Sequence, residues 1–443
     1  RNRIDCKMLY EYYLGVQPIL TRKKKVRPDI NNLVVENRAN QIVNFKVGYC
    51  FGEPIQYITT SADSAVTDAI AKLNAFVNSE DKETKDKALA DWNHICGTAY
   101  RLILPDGMAD VTEDEAPFEL NTLDPRDTFV VYQNRPGRKP MLGCINIRVK
   151  GDDGVDHDLY VCYTDSEYFE IMDGEKIVRQ EPHVLGDVPI IEYPLNNERM
   201  GCFEVVIPLL NAINKSASDR QNGLEQFIQA LLVLYNVDLD DKDYESLLDR
   251  GALKLKDTDP NFKARVEYLV NTLDQTSTQT LVDHEYQAVL EIVGMPNRNG
   301  GSSTSDTGTA TIVRDGWSDA ESRAKNTESM FKASEKRMLK IMLRICKELA
   351  GVKLKIGDIK IQFTRRNYEN ILQKATVLTA MLASEKIHPK LAFEHCGMFV
   401  DPERAYLESV EYNASVQEKG VDDEQTESES TDDRSTEDDS IRA

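Results

Sequence analysis

The stretch that most constrains this chain runs from Met295 to Ala350. It opens on Met295-Pro296-Asn297-Arg298-Asn299-Gly300-Gly301-Ser302-Ser303-Thr304-Ser305-Asp306-Thr307-Gly308, a small, polar, glycine-rich run that predicts a mobile loop. Directly behind it, Phe331, Met338, Met342, Ile345 and Leu349 recur at helical spacing, after Trp317, Ala320, Ala324 and Ala333. Lys and Arg fill much of the other face. The pattern predicts one amphipathic helix through to Ala350, far longer than the usual length of about 11–12 residues. An apolar face of that extent needs other helices against it, from the same chain or from a neighbouring copy. A Gly/Ser loop before a helix also suits a phosphate, but no Lys-Ser or Lys-Thr follows the glycines, so the P-loop pattern fails.

Length and charge narrow the class. The 443 residues leave room for several domains with real cores. The formal net charge is −21, and the tail Val421–Ala443, with ten Asp/Glu and two Arg, supplies −8 of it. The remaining body is therefore acidic too. Such a protein does not hold nucleic acid by bulk attraction, although it can surround nucleic acid without gripping it. The eight cysteines are scattered with no Cys-x-x-Cys pair, which argues for reduced, mostly buried thiols rather than a zinc site or disulfide scaffold. No apolar run is long enough for a membrane span. No signal peptide is recognisable, and the residues given begin with Arg1 rather than methionine.

Periodicity and punctuation order the rest. Helices are expected over Arg1–Leu20 with a stop at Gly15, Asn31–Val47 closed by Gly48, Asp63–Asn78 and Lys82–Gly97. Arg22-Lys23-Lys24-Lys25 between the first two is a basic, extended segment. From Ala99 the period changes to two. Strands are expected at Tyr100–Leu104, Thr128–Tyr132, Leu142–Val149, Asp158–Tyr163, Tyr168–Met172 and Lys176–Val178, forming one antiparallel meander. Its turns are Gly151–Gly154 and Asp173-Gly174. Gly186–Pro194 carries two prolines and suits an edge or crossing segment rather than a central strand. A long helix is expected over Cys202–Asn236 and another over Gln275–Val293, ending at Gly294. Between them lies a small lobe with strands Ala252–Lys256 and Ala264–Leu269, at the tip of a helical hairpin. Val352–Phe363 alternates as two strands around Gly357-Asp358, followed by helices at Asn367–Ser384, Pro389–Cys396 and Pro402–Tyr412. Gln417–Ala443 is expected to be a disordered acidic tail.

No catalytic constellation emerges. His388 and His395 lie seven positions apart, too far for His-Glu-x-x-His. Asp238, Asp240, Asp241 and Asp243 lack the glycine and terminal glutamate of a calcium loop. Cys162 and His183 have no acid tied to them, and His94 reads as structural. Neither an enzyme nor a cofactor is indicated.

Several local pieces are shared, in order and spacing, with a known family. Asn31-Asn32-Leu33-Val34-Val35-Glu36-Asn37 leads to Lys46-Val47-Gly48-Tyr49-Cys50-Phe51-Gly52-Glu53-Pro54, similar to a “GxxFGxPV” segment with Ile55 in place of Val. Gly97-Thr98-Ala99-Tyr100, Leu123-Asp124-Pro125 with Val131-Tyr132, and Pro189-Ile190-Ile191-Glu192-Tyr193 with Asn196-Asn197 continue the match. On these residues the chain resembles the tailed-bacteriophage portal proteins of the SPP1-like family, from about Tyr10 to Tyr412.

The resemblance implies an α+β portal fold with mixed wing, helical stem, small α/β clip, tunnel loop and helical crown. The wing takes 1–202 and the long helix and strands of 313–366. The stem helices are 203–232 and 273–294, flanking a clip at 233–272. The tunnel loop is 295–312, the crown 367–416 and the disordered tail 417–443. Candidate DNA-channel residues are then Asn297, Arg298, Asn299, Gly300, Gly301, Ser302, Ser303 and Arg314. Candidate docking residues on the clip are Arg250, Lys254, Lys256, Lys263 and Arg265. The implied partners are further copies in a twelvefold ring, double-stranded DNA without sequence readout, the terminase large subunit, head-completion or adaptor proteins, and capsid and scaffolding proteins. The implied place is the portal vertex of the virion, after assembly in the host cytoplasm, with no membrane, metal or cofactor. The runner-up reading is another structural virion protein, such as a head–tail adaptor.

Overall fold

A computed structural model describes residues 3–25, 27–59, 61, 63–151, 154–228, 231–236, 263, 265–269, 275–297, 316–365, 371–384, 386–399 and 402–416. The fold is mixed α+β. Its principal core gathers around the helix that follows the glycine-rich run, here called the strut, Trp317–Ala350. The strut is 34 residues long, and Phe331, Met338, Leu339, Ile341, Met342 and Cys346 are all buried along it. Helices α1 (Arg3–Tyr13), α2 (Arg38–Phe51), α3 (Ser64–Ser79) and α4 (Lys82–Cys96) contribute to the same core. At its centre the Phe331 ring lies 4.7 Å from Tyr193 and 4.9 Å from Phe51, centroid to centroid.

Helix α2 starts later than its periodicity suggests and runs through Gly48 to Phe51. Residues 31–36 are not helical because their amides are taken elsewhere. Asn32 N donates to Asn222 Oδ1 at 2.7 Å, Val34 N to Ser218 Oγ at 2.9 Å and Glu36 N to Asn214 Oδ1 at 2.8 Å. All three acceptors stand four residues apart on α5 (Ile207–Ile228), one side-chain ladder along a helix face. Asn37 then caps α2, its side chain accepting from Asn40 N.

The strands form separate sheets rather than one meander. After the short β1 (Gln56–Ile58), strand β2 (Thr98–Pro105) pairs with β3 (Phe118–Leu123) and with β9 (Ile190–Pro194). Thus the Tyr100–Leu104 strand leaves the meander, β3 is an element that its sequence did not announce, and the proline-flanked β9 is an edge strand. The meander proper is β4 (Thr128–Tyr132), β5 (Pro140–Lys150), β6 (Asp156–Tyr163), β7 (Glu167–Met172) and β8 (Lys176–Pro182), antiparallel in chain order. Asp173 and Gly174, with φ of 51° and 73°, turn β7 into β8. One face of the meander packs on β2 and β9 through a second core of Tyr100, Leu102, Tyr163, Val188 and Ile190.

Two further expectations are corrected. The segment Val352–Phe363 is not a hairpin: Ile356–Asp358 is a 3-10 turn, and Lys360–Gln362 pairs with the distant Gln56–Ile58. The long helix from Cys202 ends at Ile228, and Leu231–Tyr235 is a strand (β10) paired with Arg265–Leu269 (β11). Helix α6 (Gln275–Val293) packs antiparallel on α5, with Arg220 donating to Gln279 Oε1 at 2.6 Å. Ile371–Leu382, Pro389–Cys396 and 402–416 are helical near the end of the chain. The Ala252–Lys256 strand, the Asp238–Asp243 run and the tail Gln417–Ala443 lie outside the described residues.

Candidate functional site

The residues that lead into the glycine-rich run are fixed. Helix α6 ends at Gly294, whose φ is 65°, a left-handed stop that favours glycine. A side chain there would also collide with Arg323 of the strut. Arg323 is held by Asp319 at 3.1 Å and donates from its terminal nitrogen to Ile292 O at 2.9 Å. From α2, Lys46 Nζ donates to Val293 O at 2.7 Å. Burial pushes the Lys46 ammonium below the usual lysine range. Two cations thus sit on the carbonyl end of α6, where the helix dipole is negative.

The other end of the run returns to the same place. Gly316, φ 82°, precedes the strut, and a Cβ on it would lie 3.8 Å from Pro296 Cα and 4.0 Å from Met295 O. Trp317 then packs beside Phe45 and Tyr49, ring centroids 6.2 and 6.0 Å away. Met295 is buried and Asn297 half-buried, so both stems are anchored. The described residues on either side of 298–315 thus stand at one spot on the body. Arg298, Asn299, Gly300, Gly301, Ser302, Ser303 and Arg314 lie outside the described residues. Of the DNA-channel candidates, the structure describes Asn297.

The second candidate surface is the tip of the α5–α6 hairpin. Tyr235 and Arg265 are register partners where β10 meets β11. Lys263 and Arg265 are exposed there, while Arg250, Lys254 and Lys256 lie outside the described residues. The two candidate surfaces stand at opposite ends of α6: the hairpin tip before Gln275, the loop base after Val293.

Further along the strut lies a buried ionic cluster that sequence reasoning missed. Glu335, on the strut, is fully buried. It meets Lys82 Nζ of α4 at 2.6 Å and accepts from the hydroxyls of Tyr57 at 2.6 Å and Tyr193 at 2.7 Å. Lys82 also binds Asp86 at 2.6 Å, and Asp86 binds Arg101 of β2 at 2.7 Å. Burial alone would raise the Glu335 pKa, but the charges of Lys82 and Arg101 outweigh it and hold the carboxyl below its usual range. The same burial drives the Tyr57 and Tyr193 phenols well above theirs. The Nε and one terminal nitrogen of Arg101 make no hydrogen bond among the described residues, while its guanidinium lies 5.6 Å from the Tyr193 ring centroid. Two cations and two carboxylates balance. The cluster ties the strut to α4, β2, β9 and the strand at Gln56–Ile58 without exposing a reactive group.

A further ion pair repeats the theme near the start of the strut. Arg365 reaches Glu321 and Glu328, both at 2.8 Å, and Tyr49 donates to Glu321 at 2.9 Å. The signal for these partners in sequence is weak: Glu321, Glu328 and Glu335 recur every seven residues along the strut, but Lys82 and Arg365 lie far away in the chain. His94 is buried with its Nδ1 2.8 Å from Ala90 O, the structural role expected of it. Among the described residues no group of three or more His, Cys, Asp or Glu could hold a metal ion. No helix there is long and apolar enough to cross a membrane.

What the described residues offer is mechanical: a strut clamped by buried charges, an anchored base on either side of 298–315, and a helical hairpin with a pair of strands beyond it. No curated protein matches the chain. The family model described as phage portal protein, SPP1 Gp6-like, matches residues 1–429, nearly all of it, and the chain therefore belongs to that family, whose role is the structural one of a portal in the virion.

Proposed function

We propose that each part of this portal subunit does a separate mechanical task in a ring of like subunits. The wing comprises 1–202 together with 313–366, and it carries the clamped strut. The stem is the α5–α6 hairpin, within 203–232 and 273–294. The clip, 233–272, sits at the hairpin tip, and the crown is 367–416. The tunnel loop, 295–312, projects into the channel. A ring and packaging partners are general properties of the family. Twelve copies, docking of the terminase large subunit and later of head-completion proteins on the clip, and contacts with capsid and scaffolding proteins are the specific form proposed here.

The observation that carries this reading is the closed loop base: Gly316 against Pro296 and Met295, with α6 capped by Lys46 and Arg323. A small polar loop on so firm a footing can change shape against passing DNA while the body stays still. Asn297 to Ser303 supply groups that touch backbone rather than read bases, and Arg298 and Arg314 supply transient phosphate contacts. The acidic body supports passage as well, because each firm phosphate contact would add an attraction that retards sliding. Catalysis is not required of a conduit whose energy comes from a separate motor.

The test is a Gly300→Pro, Gly301→Pro double variant, which restricts the loop backbone without touching its base. Rings of unchanged mass and melting temperature are expected, with shortened DNA in procapsids built from them. Full-length packaging at the normal rate by intact variant rings would remove the loop from the mechanism.

A further inference from the structure

Neither the loop nor the hairpin uses a pair of thiols in the meander. Cys144 on β5 and Cys162 on β6 are register partners, each 2 % exposed, with sulfurs 3.0 Å apart. All eight cysteines are free thiols.

The ladder shows that the pair is placed for a bond. Antiparallel partners alternate between hydrogen-bonded and non-hydrogen-bonded sites, and side chains approach more closely at the latter. At the hairpin end Gly151 N donates to Val155 O at 2.9 Å, so odd positions of β5 face β6 with their amides and Cys144 does not. Across the other edge of β5, Asn146 N donates to Asp127 O at 2.7 Å, turning its even positions toward β4. Asp173 N donates to Asp158 O at 2.7 Å, turning the even positions of β6 toward β7. The amides of Cys144 and Cys162 therefore point away from each other. Their site is a non-hydrogen-bonded one, with Cα atoms typically about 4.5 Å apart, within the span of about 4.4–6.8 Å that a disulfide bridges.

We propose that Cys144 and Cys162 are a covalent modification site, converted by peroxide into a cross-strand disulfide that staples β5 to β6. The Cys162 thiolate attacks one peroxide oxygen; an S–O bond forms, the O–O bond breaks and hydroxide leaves, taking a proton to become water. The Cys144 sulfur, its proton lost to solvent, then attacks the sulfenic sulfur; the S–S bond forms, the S–O bond breaks and hydroxide leaves, taking a proton from solvent to become a second water. Two thiols lose two electrons and two protons, and one peroxide becomes two waters. The Cys144 thiol beside it favours the thiolate at Cys162 and lowers its pKa, despite burial. Disulfides persist outside reducing compartments, and a virion protein spends part of its life there. The chain would thus fold with the dithiol and acquire the staple later. The chemistry depends on the sheet and not on the portal reading.

The test uses the full-length protein, incubated with hydrogen peroxide, quenched, unfolded, alkylated and digested without reductant. Expected are a chain lighter by two hydrogens, two fewer alkylated thiols than the eight of the reduced chain, and one linked peptide pair holding Cys144 and Cys162. Dithiothreitol should restore all of them. The oxidised wild type should also melt higher than the reduced, a gain that Cys162→Ser lacks. Because wild type is compared with itself, a poorly folding variant does not blunt the result. Full alkylation after peroxide treatment, or a bond joining other cysteines, would overturn the proposal.

Discussion

Around Glu335 two cations, two carboxylates and two phenols share a space closed to water, whereas along β8 every residue from Lys176 to Pro182 is exposed. Both regions are rich in charge, but the charges act differently. In the strut cluster each ion has lost its hydration, so each depends on its partners being in place. On β8, Arg179 and Glu181 meet at 2.9 Å with about half of each side chain in water, a pair worth little. There the charges chiefly blunt the edge of a sheet against unwanted pairing. The comparison shows where this subunit tolerates change. The strut is an element whose position is over-determined, and the meander edge is a surface.

The largest effect should come from emptying the centre of the cluster. Glu335→Ala leaves Lys82 buried with one partner and two phenols without an acceptor, and should cost about 3–5 kcal/mol in denaturant unfolding. A loss under about 1 kcal/mol would mean that water enters the cluster and that the contrast with β8 is false.

Acid should separate the regions next. The buried, neutral His94 has its pKa lowered to about 4 from 6.5, chiefly by burial. Between those values the unfolded chain holds a proton that the folded one refuses, so stability is lost as pH falls from about 6.5 toward 4. Wild type should lose about 2 kcal/mol more than His94→Gln between about pH 7 and pH 5. Parallel pH profiles would show that the imidazole does not titrate as the buried core requires. Glu335 acts further down the scale: its depressed pKa contributes stability above the ordinary carboxylate range, which is lost as pH falls through the folded value.

The smallest effect belongs to the exposed edge. Ile177, 55 % exposed on β8, should accept Ile177→Ser within about 0.5 kcal/mol. A substantially larger loss in the isolated subunit would place hidden packing on that strand.

Legibility followed the range of the interactions. The strut from Trp317, the stop at Gly294 and the Asp173-Gly174 turn were readable because each depends on neighbours within a few positions. The partner of Lys360–Gln362 was not, since a local hairpin through Gly357-Asp358 satisfied the same alternation. Leu231–Tyr235 looked helical because a short apolar run suits either period until a pairing strand is known. Asn214, Ser218 and Asn222 sit at helical spacing, yet nothing local says that they hold the amides of 31–36. For the loop candidates, the sequence supplied composition and order; the structure added the base on which they stand.

By itself, then, the sequence determined the long amphipathic strut, the polar composition of the run before it, the acidic balance and the order of elements that marks the family. Periodicity, caps and turns are local, and their free energies are written in adjacent residues. Tertiary structure alone decided which distant strands pair, which charges are neutralised in the core and which two of the eight thiols meet. Those choices follow from desolvation, because a buried amide or charge must find a partner wherever the chain can bring one, however far away in sequence that partner lies.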